Sequence, residues 1–376
     1  MGGFMIIVSV FATGLFLWSV FACLRVWRRW RLVAGCLAFG VLDGGVVWLL
    51  KEHMPGLYGV DRELLWGMVM LLVAQFIFNG LVTVAVSIRF ILRRLRRVPV
   101  DVRRREMLKK SCLYPLLASG AAAYGGLVES RQQKVREVEI PVQGLTAPAG
   151  YRILQLSDVH LGPFFSLEDL GRLLRLAVSQ QANLLAVTGD LFDDEKINGK
   201  AVRLLDSFVP SFPDGIYFVF GNHEHFRGVE LIRRQLAGTR IVVLENEARQ
   251  VPGKNLWLAG VDYPMRREYF AEDRREMARQ AFAQVPQGMT AVFLAHHPEC
   301  IDDGAELGAA LTLTGHTHGG QFGIFGQAIF PFFRYNRGLI KIGNSYGYVH
   351  SGNGSWFPCR IGCPPEIAVF TLVNAK

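Results

Sequence analysis

Five short apolar runs in the C-terminal two thirds of the chain each stop at a cluster of Asp, Asn or His beside Gly. Leu156 leads into Ser157-Asp158-Val159-His160, and Val187 into Thr188-Gly189-Asp190-Leu191. Phe220 leads into Gly221-Asn222-His223-Glu224, Leu294 into Ala295-His296-His297-Pro298, and Leu313 into Thr314-Gly315-His316-Thr317-His318. Apolar runs this short, bounded by Gly and polar residues, read as buried strands. The strand set from Tyr151 onward is 152–156, 184–187, 216–220, 241–244, 256–259, 291–294 and 311–313, and residues 135–142 before it read as one further short strand. Amphipathic stretches at 166–180, 229–236 and 267–285 alternate with them as helices, the first opening on a Ser166/Asp169 capping box. This alternation predicts an α/β layered domain. In such a domain the carboxyl ends of parallel strands border the ligand crevice, so five loaded strand ends can converge on one place.

The clustered side chains are carboxylate, imidazole and amide, and seven of the nine His lie in or beside them. With no Cys in the set, the donors suit Mn²⁺, Fe or Zn²⁺. Asp-x-His and His-x-His would put both side chains on one side of an extended segment, because strand side chains alternate with period two. The neighbouring glycines allow sharp turns.

The five motifs together resemble the calcineurin-like metallophosphoesterase family, whose pattern is Asp-x-His, Gly-Asp, Gly-Asn-His-Asp/Glu, a lone His, and Gly-His-x-His. The resemblance covers roughly residues 151–372. It implies a four-layer α/β/β/α sandwich and two divalent metal ions. By motif position, Asp158, His160 and His318 would hold one ion, and Asn222, His296 and His316 the other. Asp190 would bridge them, and His223 would give a proton to the leaving oxygen. Two such ions would clamp an in-line displacement at phosphorus and activate a water as nucleophile. The segments Tyr335-Asn336-Arg337-Gly338-Leu339 and Cys363-Pro364-Pro365-Glu366-Ile367 resemble those of bacterial, exported or membrane-anchored phosphodiesterase-like members.

Other residues keep two readings. His225 faces solvent or borders the cleft; His297 supports the ligands; Glu224 orients His223. Asp193 and Asp194 read as a solvated turn, since acids repel phosphate. Arg334, Arg337 and Arg360 read as surface residues or as phosphate partners. Cys359 and Cys363 could bridge in an oxidising compartment. Phe164, Phe165, Phe325, Phe332 and Phe333 read as core or as lipid-touching.

The N-terminal third is different in kind. Residues 4–24 are apolar and uncharged; 32–50, 64–88 and 112–128 are further apolar runs, long enough to predict three to four transmembrane helices. Residues 1–128 carry 16 Lys and Arg against 6 Asp and Glu, whereas 129–376 carry 25 against 26. The basic surplus of +9 therefore marks membrane topology rather than a nucleic-acid partner. Arg25, Arg28, Arg29 and Arg31 between runs one and two, and ten basic residues between runs three and four, place those loops in the cytoplasm. The C-terminal domain then faces outward, from a multi-pass position in a bacterial inner membrane. Arg104-Arg105, with Leu108 and Lys109, resembles a twin-arginine export motif. Asp43 is a costly intramembrane acid.

The expected organisation is a transmembrane region over 1–128, a linker over 129–150 and a catalytic domain over 151–376. The expected function is membrane-bound, metal-dependent hydrolysis of a phosphodiester, lipid or envelope-linked. A UDP-diacylglucosamine-type pyrophosphatase is the alternative enzyme, and a transport or sensor protein with a regulatory metal domain is the non-enzyme alternative.

Overall fold

The computed structural model describes residue 77 and residues 120–376, apart from 325–326, 330, 356–358 and 376. Asp43, Arg104-Arg105, the first three apolar runs (residue 77 excepted) and the start of the fourth lie outside these residues. Among the described residues no helix is long and apolar enough to cross a membrane. Contacts divide the chain into two units, Met1–Val128 and Glu129–Lys376.

The second unit carries strands β1 (Lys134–Val142), β2 (Tyr151–Leu156), β3 (Leu184–Thr188), β4 (Ile216–Val219), β5 (Val242–Val243), β6 (Glu247–Gln250) and β7 (Leu256–Gly260). They are followed by β8 (Thr290–Leu294), β9 (Leu311–Thr314), a short hairpin of β10 (Gly323–Ile324) and β11 (Gln327–Ala328), β12 (Gly338–Ile342), β13 (Ser345–Val349) and β14 (Glu366–Asn374). The helices are α1 (Leu167–Val178), α2 (Glu195–Ser207), α3 (Asn222–Phe226), α4 (Val229–Ala237), α5 (Phe270–Phe282) and α6 (Cys300–Glu306).

Two six-stranded sheets result, ordered β1-β14-β2-β3-β4-β5 and β12-β13-β9-β8-β7-β6. Strands β2 to β5 run parallel, as do β7, β8, β9 and β13, while β14 is antiparallel to β2. The pleat sorts each strand between two cores. Ile153, Leu184, Ala186, Tyr217 and Val219 point inward and meet Leu258, Val292, Leu294, Leu311 and Leu313 of the other sheet. Their neighbours Leu154, Leu185, Val187 and Phe218 point outward onto Leu170, Leu173 and Leu174 of α1, Val202 and Leu205 of α2, and Ile232 of α4. Beyond the second sheet, Phe293 and Ala259 pack on Ala278 and Ala281 of α5 and Cys300 of α6. The layers are therefore helix, sheet, sheet, helix. Burial on both faces is why β3 reads as an unbroken apolar run rather than an alternating one.

Three differences from the sequence reading have physical causes. The short strand expected at 135–142 is β1, and its nine residues pair with β14, so the stretch read as a linker is built into the sheet edge. Strand β6 is Glu-Ala-Arg-Gln, an antiparallel edge strand whose polar residues hide its pattern. Helix α2 starts at the N-cap Asp194, whose carboxylate accepts the Lys196 N–H, and it buries Ala201, Val202 and Leu205 despite Gly199.

Candidate metal centre

Both sheets present their parallel strand ends at one edge. Asp158 and His160 follow β2, Asp190 follows β3, Asn222 opens α3 after β4, His296 follows β8, and His316 and His318 follow β9. The chain does not reach this edge in extended form. Asp158 (φ 52°), His160 (φ 52°), Asp190 (φ 54°), His316 (φ 72°) and His318 (φ 51°) all adopt left-handed backbone. They are five of the eight non-glycine residues that do so among those described. The expectation that strand pleating aligns each pair is thereby corrected: tight left-handed turns aim them. Such residues cost about 1–3 kcal/mol each and persist only where surroundings enforce them. Here the motifs hold one another. Asp158 N–H donates to Gly189 O (3.1 Å), His160 N–H to Asp190 O (3.0 Å), and Gly315 N–H to His296 O (2.9 Å). Only glycine fits at 221, where a Cβ would lie 2.2 Å from Asp190 Oδ1.

Two groups of ligand atoms form. Asp158, His160 and His318 each offer an atom within 4.8 Å of the others, and so do Asp190, His296 and His316. Asp190 reaches both, with Oδ2 3.2 Å from His296 Nε2 and 3.8 Å from His160 Nε2. His160 Nε2 faces His318 Nε2 at 3.0 Å, and His296 Nε2 faces His316 Nδ1 at 3.1 Å. The second ring nitrogens are already engaged. His160 Nδ1–H donates to Asp193 (2.8 Å) and His296 Nδ1–H to Thr188 O (2.7 Å), which turns both Nε2 lone pairs inward. Asp158 accepts the His316 N–H at 2.9 and 3.1 Å.

The donor set fits divalent cations. Asn222 Oδ1 is buried with no hydrogen-bond partner, an arrangement that costs free energy unless a cation satisfies the oxygen. Burial pushes the Asp190 carboxyl up, but His296, His223 and His160 outweigh it and hold Asp190 well below the carboxylate range. Burial, with His296 and His160 nearby, keeps His316 and His318 well below the ordinary imidazole range, hence neutral. Neutral imidazole and ionised carboxylate are the metal-binding forms. His296 is pushed up to about 10, Asp190 overriding burial; a proton and a cation compete for that gap.

His223 sits beside these groups, its Nε2 4.0 Å from Asp190 Oδ2 and its Nδ1 2.6 Å from Asp193 Oδ1. Asp193 corrects the solvated-turn reading. It is buried and engages His160, His223 and Arg227 Nε (3.2 Å). Burial pushes its carboxyl up, yet His160 and His223 hold it far below the usual range. His160, Asp193 and His223 also come together as a potential cation group. Both imidazoles turn Nδ1 toward that carboxylate, so Asp193 reads as their shared support. No local signal marks this role, since the partners His160 and His223 lie 33 and 30 residues away in the chain.

Glu224 does not orient His223 through its side chain. It is fully buried and accepts N–H groups of Asp190, Leu191, Phe192 and Gly221 at 2.7–3.0 Å, locking one strand end to the next. His225 is half-buried and pairs with Asp262 (2.7 Å). His297 is buried, its ring 5.2 Å from that of His316. Arg334 pairs with Asp302, and Arg337 donates to Gly362 O. Arg360 is wholly buried, contrary to both readings. It donates to Ser351 O (2.6 Å), Gly354 O (2.6 Å), Cys363 O (3.2 Å) and Ser355 Oγ (3.0 Å), directly behind His318. Cys359 and Cys363 are buried, free thiols. Phe332 is 70% exposed, Phe165 packs on the core, and Phe325 lies outside the described residues. Phe333 joins Tyr263 and Phe270 in an aromatic wall against His316 and His297.

The calcineurin-like phosphoesterase family matches residues 151–320. The chain is 27% identical to an uncharacterized metallophosphoesterase, YkuE, of Bacillus subtilis, over 73% of this chain and 98% of that one. It is 29% identical to the phosphodiesterase YaeI of Escherichia coli, over 60% and 83%. It is 28% identical to a zebrafish transmembrane protein with metallophosphoesterase domain, over 71% of this chain and 63% of that protein. With all five motifs gathered at one edge of two packed sheets, residues 151–320 form a calcineurin-like phosphoesterase domain.

Proposed function

We propose that this protein is a membrane-bound phosphodiesterase with two divalent cations in its site. Asp158, His160 and His318 would hold one and Asn222, His296 and His316 the other, with Asp190 between them. The observation that carries this reading is Asp190 within reach of both imidazole groups, while Asn222, next to the His223 whose N–H donates to Asp190, has a buried Oδ1 without a partner. When bound, such ions neutralise phosphoryl oxygens and acidify water. The side chains do the rest. His223, held by Asp193, carries a proton at Nε2 for the leaving oxygen. Glu224 fixes the amides that set Asp190 and Gly221. Mn²⁺, Fe or Zn²⁺ suit these nitrogen and oxygen donors.

The four apolar runs and their basic loops support a multi-pass anchor in a bacterial inner membrane, with the catalytic domain outside the cytoplasm. A relative whose name describes a transmembrane protein agrees with the anchor. A domain tethered at a bilayer meets lipid or envelope phosphodiesters first, and these are the proposed substrates. Purified full-length protein, loaded in turn with Mn²⁺, Fe²⁺ or Zn²⁺, is to be assayed on an aryl phosphodiester, a phospholipid panel and a nucleotide-lipid pyrophosphate. Turnover of the diesters is expected, and Asp190→Asn should remove it without unfolding the protein. Turnover confined to the pyrophosphate, or turnover that survives chelation, rejects the proposal.

A further inference from the structure

We propose that Tyr263 contacts the substrate, its hydroxyl donating a hydrogen bond to a phosphoryl oxygen at the Asp190, His296 and His316 group. The assignment rests on the phosphodiesterase reading above and adds a residue to it. Tyr263 follows β7, a strand end that carries no ligand-type motif, yet the fold brings it to the same edge. Its ring centroid lies 5.8 Å from His296, 5.9 Å from His316 and 6.3 Å from His297. Burial, and after it the Asp190 charge, raise its hydroxyl above the ordinary phenol range.

The hydroxyl has no hydrogen-bond partner among the described residues, although the ring is half-buried. A phenol this sheltered usually finds one. Its backbone, in contrast, is pinned. Tyr263 N–H donates to Asp262 Oδ1 (2.7 Å), the same carboxylate oxygen that holds His225 of α3 (2.7 Å). This clamp ties the loop after β7 to the helix that carries Asn222 and His223, and edge-to-face packing on Phe270, His296 and His297 holds the ring. Phe270, 5.8 Å from the Tyr263 ring, and Phe333, 5.2 Å from His316, shield that side from water. In a sheltered site a fixed donor aimed at developing phosphoryl charge is worth more than in water. A phenol also stays a donor throughout the neutral range.

The test is Tyr263→Phe in the full-length, metal-loaded protein, which keeps the ring and removes only the hydroxyl. Three quantities are compared with wild type: aryl phosphodiester kinetics, orthovanadate affinity and bound metal per chain. The expected result is a fall of about 10–100-fold in kcat/KM, carried mainly by kcat, with orthovanadate bound several-fold more weakly and metal content unchanged. Kinetics and orthovanadate affinity within twofold of an active wild type overturn the assignment alone. Loss of metal in the variant overturns it too, because the hydroxyl would then serve the metal site and not the substrate. A wild type that hydrolyses no diester removes the phosphodiesterase reading, and the assignment with it.

Discussion

The two halves of the centre are backed in opposite ways. Behind Asp158, His160 and His318 stand charges: Asp193 on the His160 Nδ1, and the buried Arg360 guanidinium against His318. Behind His296 and His316 stand a carbonyl, Thr188 O, and the rings of Tyr263, His297 and Phe333. A carboxylate partner fixes an imidazole and raises its donor strength, a guanidinium fixes it while keeping it unprotonated, and ring packing fixes it only by shape. The first half should therefore depend on single polar atoms, and the second should tolerate substitution of its wall.

The sharpest break in this comparison is Asp193→Asn. It removes the carboxylate that serves His160 and His223 at once. We expect kcat to fall about 10²–10⁴-fold and the first ion to bind about 10–100-fold more weakly, with the second ion unaffected. Turnover assays and metal titration read both effects. Equal weakening of the two ions would erase the distinction between the halves.

Arg360→Met comes next and acts on stability. It strands the carbonyls of Ser351, Gly354 and Cys363 in a buried pocket, at a cost of about 3 kcal/mol or more. Thermal unfolding should show a clear drop in Tm, and metal loss should affect the His318 half first. Phe333→Leu is the matched change in the other wall. It keeps an apolar side chain of similar reach, and the second ion should bind within about threefold of wild type, since volume-conserving swaps are mild.

The smallest effect concerns the clamp between α3 and the loop after β7. Burial lowers the affinity of His225 for a proton, but Asp262 outweighs it and raises the folded value above the ordinary imidazole range. A raised folded value adds stability that is full below the unfolded value and fades as pH rises through the folded one. The Tm difference between wild type and His225→Gln should be greatest below about pH 6.5 and shrink above it. A difference that grows with pH would reverse the sign of the pairing.

The same contrast explains what the sequence revealed. Strand ends loaded with Asp, Asn and His were legible because each apolar run stops at a ligand-type cluster, and the structure brings those strand ends to one edge. Asp193 and Arg360 were illegible because burial of a charge is decided by neighbours distant in the chain: Arg360 reaches His318, 42 residues away. Tyr263 carried no motif at all. The β6 edge was missed because Glu-Ala-Arg-Gln carries a single apolar residue and so no pattern to read. The turn geometry was misjudged for a related reason: hydrogen bonds between different strand ends, not local sequence, hold Asp158 and His160 in left-handed backbone.

Metal content per chain, measured by elemental analysis on purified, reconstituted protein beside its Asp190→Asn variant, tests the shared site most directly. Two transition-metal ions per wild-type chain, with fewer in the variant, are the predicted result. A wild-type chain that binds no such ion, or a variant that keeps both at unchanged affinity, would contradict a centre built around Asp190.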